Sequence, residues 1–150
     1  VLDRIDREII ELLRGDGRLS YRELGEQVCL SPNTVADRVR RLVAERVLRG
    51  FTARVDLGAL ELSVQAFIDI KMLPATSAEH FEAVIQTIPG VIEANLVTGT
   101  YDYLLRVACR DHADLMRLVE ALRKQAGVQD THSRVVLKQM ELTGPLAARR

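Results

Sequence analysis

The chain has 150 residues, room for one ordinary domain or two small ones. Hydrophobic residues make up 47% and charged residues 28%, which allows a packed core and excludes a disordered chain. Twenty-one basic side chains balance 21 acidic ones, so total charge does not mark a nucleic-acid binder and any such claim rests on local charge. The only lysines are Lys71, Lys124 and Lys138. Arginine suits forked contacts to phosphate and guanine, although a GC-rich genome gives the same bias. Cys29 and Cys109 sit in apolar runs outside any paired motif and read as buried free thiols, which fits a reducing cytoplasm. The opening Val1-Leu2-Asp3-Arg4-Ile5-Asp6-Arg7 carries charge at helical intervals and does not read as a signal peptide. No apolar run approaches the ~20 residues of a membrane span.

Residues 3–14 place Ile5, Ile9, Leu12 and Leu13 on one stripe, an amphipathic helix that Gly15-Asp16-Gly17 breaks. Ser20 and Glu23 then form a capping box, with Leu19 and Leu24 as its hydrophobic staple, for a helix ending near Val28. Ser31 caps a third helix almost at once, with Pro32 in its first turn and Leu30 and Val35 as a second staple. Two caps this close together specify helix, tight turn, helix. Val35, Val39 and Leu42 form the buried stripe of the third helix. Asn33, Asp37, Arg40, Arg41 and Ala44 then face outward, with Thr34 and Arg38 on the flanks.

Residues 31–50 hold five Arg against one Asp and one Glu. Small polar groups at a helix start followed by Arg suit a major-groove reader, and the free N–H groups of the first turn favour a phosphate. The candidate DNA-binding residues are Ser31, Asn33, Thr34, Asp37, Arg38, Arg40 and Arg41. Asp37 stands one turn before Arg41, the spacing of an ion pair. A three-helix module with a merely solvated Arg face is the competing reading.

Residues 47–56 alternate partly like a strand and read as an extended connector. Val64 to Leu73 reads as a strand with Ala66, Ile68, Ile70 and Met72 on one face. Thr76-Ser77-Ala78-Glu79 reads as a capping box for a helix carrying Phe81, Val84, Ile85 and Ile88, which Pro89-Gly90 ends. Val91 to Thr98 and Tyr101 to Cys109 read as strands around a Gly99-Thr100 turn. Asp111 caps a helix bearing Leu115, Leu118, Val119 and Leu122; Gly127 ends it, and Val128 to Met140 reads as the last strand. The order is βαββαβ, with Pro89-Gly90-Val91 echoed by Ala126-Gly127-Val128. Leu104 and Ala108 on one face of the third strand, against Tyr103, Leu105 and Val107 on the other, leave an apolar sheet face for a second copy of the chain to cover. A two-fold protein reads paired half-sites about 34 Å apart or a multiple of that.

The chain resembles the Lrp/AsnC (leucine-responsive, or feast/famine) family over nearly all its length. The likeness rests on Leu2-Asp3-Arg4-Ile5-Asp6, Leu30-Ser31-Pro32, Arg38-Val39-Arg40-Arg41-Leu42 and Arg49-Gly50-Phe51-Thr52-Ala53 in the first part. In the second it rests on Pro89-Gly90-Val91, Val97-Thr98-Gly99-Thr100-Tyr101-Asp102-Tyr103-Leu104-Leu105 and Gly127-Val128. The resemblance implies an α+β chain: an N-terminal winged or plain helix-turn-helix, then a ferredoxin-like effector domain. It also implies dimers assembling into tetramers, octamers or hexadecamers, and an amino acid bound between effector domains that alters assembly and DNA binding. Two positions depart from the family pattern. Arg46 stands where Gly usually ends the reader helix, and Val43 where an acidic residue is frequent.

The resemblance also implies an effector loop at Thr98, Gly99, Thr100, Tyr101 and Asp102, with Leu96, Arg134 and Val136 as the neighbouring wall. Its chemistry fits an amino acid: Gly99 lets backbone N–H groups approach a carboxylate, Thr98 and Thr100 supply hydroxyls, and Asp102 can accept from an ammonium. The alternative is a hairpin turn in which Gly99 serves geometry and Asp102 caps the strand.

The expected layout is a helix-turn-helix domain over 1–50, an extended linker over 51–62, an effector and oligomerisation domain over 63–143 and a loose tail over 144–150. The expected function is a cytoplasmic, sequence-specific transcription regulator that binds double-stranded DNA, responds to a small effector and has no membrane association. A small ferredoxin-like enzyme and a protein-interaction adaptor are the alternatives. No nucleophile–base pair, phosphate loop or metal cluster stands out, so no catalytic residue, metal or cofactor is expected; His80, His112 and His132 lack metal spacing and read as surface or packing groups.

Overall fold

A computed structural model describes residues 1–142 and 144–146, so part of the expected loose tail (147–150) and residue 143 lie outside the described residues. The chain divides into two compact units, one of Val1–Arg54 together with the chain from Glu141, the other Val55–Met140. Among the described residues no helix is long and apolar enough to cross a membrane.

The first unit holds α1 (Arg4–Gly15), α2 (Tyr21–Val28) and α3 (Pro32–Ala44). Each begins on a side-chain cap. Asp3 and Asp6 form a reciprocal capping box on α1, Ser20 and Glu23 do the same on α2, and Ser31 caps α3 with Pro32 in the first turn. The apolar stripes meet in a core of Ile9, Leu13, Leu24, Val28, Val35, Val39 and Leu42. The turn between α2 and α3 is tight. A Cβ on Gly25 would stand 2.5 Å from the Leu30 carbonyl oxygen, so only glycine lets the chain fold back there. Cys29 occupies the left-handed residue of that turn (φ 56°) and is exposed, which corrects the expectation of a buried thiol; Cys109 is buried. No strand follows α3 up to residue 56, so the unit is a plain three-helix form without a wing.

Helix α3 ends in a Schellman motif. Val47 N–H donates to Leu42 O and Arg46 N–H to Val43 O, with Arg46 itself at φ 56°. The left-handed cap is therefore kept although its residue is Arg, and Val43 stands exposed.

In the second unit a 3₁₀ turn (Gly58–Leu60) precedes β1 (Val64–Met72), α4 (Ala78–Ile85), β2 (Val91–Leu96), β3 (Tyr103–Cys109), α5 (His112–Gln125) and β4 (Val128–Val135). The strands lie in the order β2-β3-β1-β4, antiparallel throughout, which is the ferredoxin-like arrangement. Ala66, Ile68 and Ile70 of β1 and Tyr103, Leu105 and Val107 of β3 pack against Phe81, Ile85, Leu115, Leu118 and Leu122 of the two helices. At the edge of this core the Tyr103 hydroxyl donates to the exposed Glu82 (2.7 Å), and burial of the tyrosine pushes its hydroxyl up to about 12. Gly90 (φ 90°) and Gly127 (φ 66°) turn the chain from each helix into the next strand, as the sequence echo implies.

Four boundaries differ from the sequence reading. The cap of α4 is Ser77, which accepts from His80 N–H, while Thr76 donates its hydroxyl to Gly127 O; the expected Thr76–Glu79 box does not form. That helix stops at Ile85, before Pro89-Gly90. β4 stops at Val135, because β1 begins at Val64 and offers little ladder beyond that point. The hairpin of β2 and β3 closes earlier, through Val97 N–H to Asp102 O, leaving Thr98 and Tyr101 in the loop. The sheet face away from the helices is also less apolar than β3 alone indicates. Phe67 and Leu104 share it with Asp69, Lys71, Arg106 and Arg134.

Candidate nucleic-acid interface and effector loop

On α3 the buried residues are Val35, Ala36, Val39 and Leu42, and the opposite side presents Asn33, Asp37, Arg40 and Ala44 to solvent. The polar side chains of this helix differ in what they hold. Ser31 Oγ accepts from Thr34 N–H (3.2 Å), and the two hydroxyls lie 2.8 Å apart, so both secure the helix start. Arg40 donates to Asp37 (2.6 Å). The expected Asp37–Arg41 pair does not form, because Arg41 donates instead to Asp6 (2.6 Å). Arg38 bridges Asp3 (2.6 Å) and Asp6 (2.8 Å).

Asp6 is the one buried charged residue among those described, at 0% exposure. Burial by itself raises its carboxyl, but the Arg38 and Arg41 guanidiniums and the Asp3 N–H outweigh this and hold it below the usual carboxylate range. Asp3 is lowered by its hydrogen bonds to Asp6 N–H and Arg38. These ion pairs fasten α3 to α1. Sequence reasoning missed Asp6 because its partners lie 32 and 35 positions away. Arg46 and Arg49, just past α3, form no ion pair among the described residues.

In the second unit, Thr98, Gly99 and Thr100 form an exposed loop; Gly99 adopts φ 111° with open space on its Cβ side. Asp102 is well used. Its N–H donates to Ile70 O (2.8 Å), its Oδ2 accepts from Met72 N–H (2.8 Å), and Lys71 Nζ lies 3.5 Å from Oδ1. The carboxylate thus caps the end of β1 and keeps one oxygen turned to a lysine. The Tyr101 ring lies 6.4 Å, centroid to centroid, from His132 of β4, whose register partner is Asp69; Asp69 in turn is 3.1 Å from Arg134. Tyr101, His132, Asp69 and Arg134 therefore form one polar track on the open sheet face. Asp69 and His132 carry no sequence signal for this and become visible only through the β1–β4 register.

Val136, whose N–H donates to Gln65 O, continues past the end of β4. Leu96 does not join. It pairs with Tyr103 on the helix side of β2, the opposite edge strand, about 14 Å away by three strand spacings. One chain does not gather all eight expected effector residues.

A capped helix-turn-helix joined to a ferredoxin-like sheet defines a two-domain DNA-binding transcription regulator. Residues 2–43 match the AsnC-type helix-turn-helix domain, and residues 65–146 match the Lrp/AsnC ligand binding domain. The chain belongs to the Lrp/AsnC family. It is 36% identical to the leucine-responsive regulatory protein of Salmonella typhimurium over 148 residues, 97% of this chain and 90% of that one. The leucine-responsive regulatory protein of Escherichia coli K12 is 35% identical with the same coverage. Among solved structures, a transcriptional regulator from Neisseria meningitidis in complex with L-Met superposes with TM-score 0.90 at 34% identity, covering 98% of this chain and 97% of that one. The feast or famine regulatory protein of M. tuberculosis, complexed with L-methionine, gives 0.89 at 31% identity, covering 95% and 96%.

Proposed function

We propose that the chain reads paired half-sites on double-stranded DNA as a homodimer, or as a tetramer or octamer built from dimers, and that a small effector, an amino acid, adjusts this binding. The observation that carries the DNA reading is the outward stripe of α3, fixed on a capped and well-packed helix. Within the proposed contact set the labour divides. Asn33, Asp37 and Arg40 face the groove. Ser31 and Thr34 hold the helix start, whose free N–H groups suit a phosphate. Arg38 and Arg41 orient the helix through Asp6. The functional division we adopt is 1–50 for DNA, 51–62 for the linker and 63–143 for effector and assembly. A DNA-reading role and the expected reducing surroundings of its two free thiols support a cytoplasmic location.

Assembly is supported by Phe67 on the open sheet face and by Phe51 and Val55 in the connector, all exposed and apolar in the single chain. The effector reading rests on the two similar structures solved with L-methionine. It is also supported by chemistry: Arg134 suits a carboxylate, and Asp69 and Asp102 suit an ammonium, beside the Thr98–Tyr101 loop. A second copy would have to bring Leu96 to this group.

A thermal melt of the purified protein against each of the twenty amino acids, L-methionine included, tests the effector. A ligand at 100 times its dissociation constant stabilises the native state by about 2.7 kcal/mol. A raised melting temperature with one amino acid or a few is expected. If none raises it, the amino-acid reading is overturned.

A further inference from the structure

In the free chain most polar side chains of α3 already have a partner. The Ser31 and Thr34 hydroxyls face each other, Arg38 is spent on Asp3 and Asp6, Arg41 on Asp6, and Arg40 and Asp37 on one another. Asn33 stands apart: it is exposed, and its side chain forms no hydrogen bond among the described residues. It is the second residue of α3, held in place by the Ser31 cap and by Pro32. In helix-turn-helix docking the first residues of the reader helix meet the base edges.

We propose that Asn33 is the base-specifying residue of this protein and that it selects an adenine in each half-site. The inference rests on α3 entering the major groove. A carboxamide offers one donor group and one acceptor side by side. Adenine presents the complement in the major groove, an N7 acceptor beside an N6 donor. Guanine presents two acceptors and leaves the Asn33 carbonyl unpaired. Arg40, tethered to Asp37 one and two turns further on, follows the same stripe toward the adjoining phosphates. The neutral Asn33 adds sequence preference without adding to the electrostatic part of binding.

The test is selection of binding sites from a random duplex pool by the full-length protein and by Asn33→Ala. Asn33 is exposed and unbonded, so the variant should melt at the wild-type temperature, which a circular dichroism scan verifies. The wild type is expected to select half-sites with one fixed adenine. Asn33→Ala is expected to lose preference at that position alone, by roughly five- to 150-fold, with its salt dependence unchanged. Replacing that adenine by 7-deazaadenine, which lacks the N7 acceptor, should weaken the wild type by about two- to ten-fold and leave Asn33→Ala unaffected. Selection of the same sequences by Asn33→Ala, or loss of preference at a G·C pair instead, overturns the assignment while leaving α3 as the reader. Failure of the wild type to select any sequence overturns both.

Discussion

Asp6 shows how a single carboxylate settles which arginines of a basic helix are left free to face outward. Two of the three α3 arginines end on it, and so the outward charge is smaller than the composition of residues 31–50 implies. Removing one partner of a buried ion pair costs about 3–5 kcal/mol; Arg41 is half-exposed and can regain water, so Asp6→Asn should destabilise the first unit by about 2–3 kcal/mol. Urea unfolding of the variant measures this, and an unchanged midpoint would mean the cluster contributes nothing to the fold. Asp3 and Asp6 sit below their ordinary value of 3.8 in the folded chain. Their contribution is complete above that value and is lost as pH falls through the lower folded one. Acid should therefore loosen α1 from α3 below about pH 4 and not above it. The cluster was not legible in the sequence, where the local Asp37–Arg41 spacing competed with partners 35 positions away. For the same reason Arg40→Ala is a cleaner probe of DNA contact than Arg41→Ala, which would disturb the helix as well.

At the scale of elements, the signals that were legible are local ones. The caps Ser20–Glu23, Ser31 and Asp111 form as the spacing implies, since each needs only a hydroxyl or carboxylate and an N–H three residues on. Where the structure departs from the sequence reading, a distant group intervenes. Thr76 leaves its expected box because Gly127, 51 positions away, takes its hydroxyl. β4 ends at Val135 because its partner strand runs out, although the sequence stays partly apolar to Met140. The end of α3 is a case of strain that the fold tolerates. Arg46 holds a conformation that costs a residue with a Cβ about 1 kcal/mol relative to glycine. Arg46→Gly should raise stability by about that much, visible as a higher melting temperature of the first unit. An equal or lower melting temperature would show that the Arg46 side chain compensates for its backbone.

At the scale of the whole molecule, the two-unit organisation and the antiparallel four-stranded sheet follow from the order of caps, strands and helices along the chain. The proposed effector group is less legible. Loop residues Thr98–Asp102 are contiguous, but Leu96 turns to the helix side while Arg134 turns to the open face, a distinction set by register and invisible in composition. We infer that one short reader helix on a net-neutral chain gains its specificity when a second copy places a second reader on the same DNA, which ties the proposed function to assembly. A footprint on the DNA upstream of the protein's own gene, with and without the amino acid that raises the melting temperature, tests this most directly. Paired protected stretches about one helical turn (10–10.5 base pairs) or a multiple apart are expected, with a strength or extent that changes with the amino acid. A single isolated protected stretch, or a pattern indifferent to the amino acid, would contradict it.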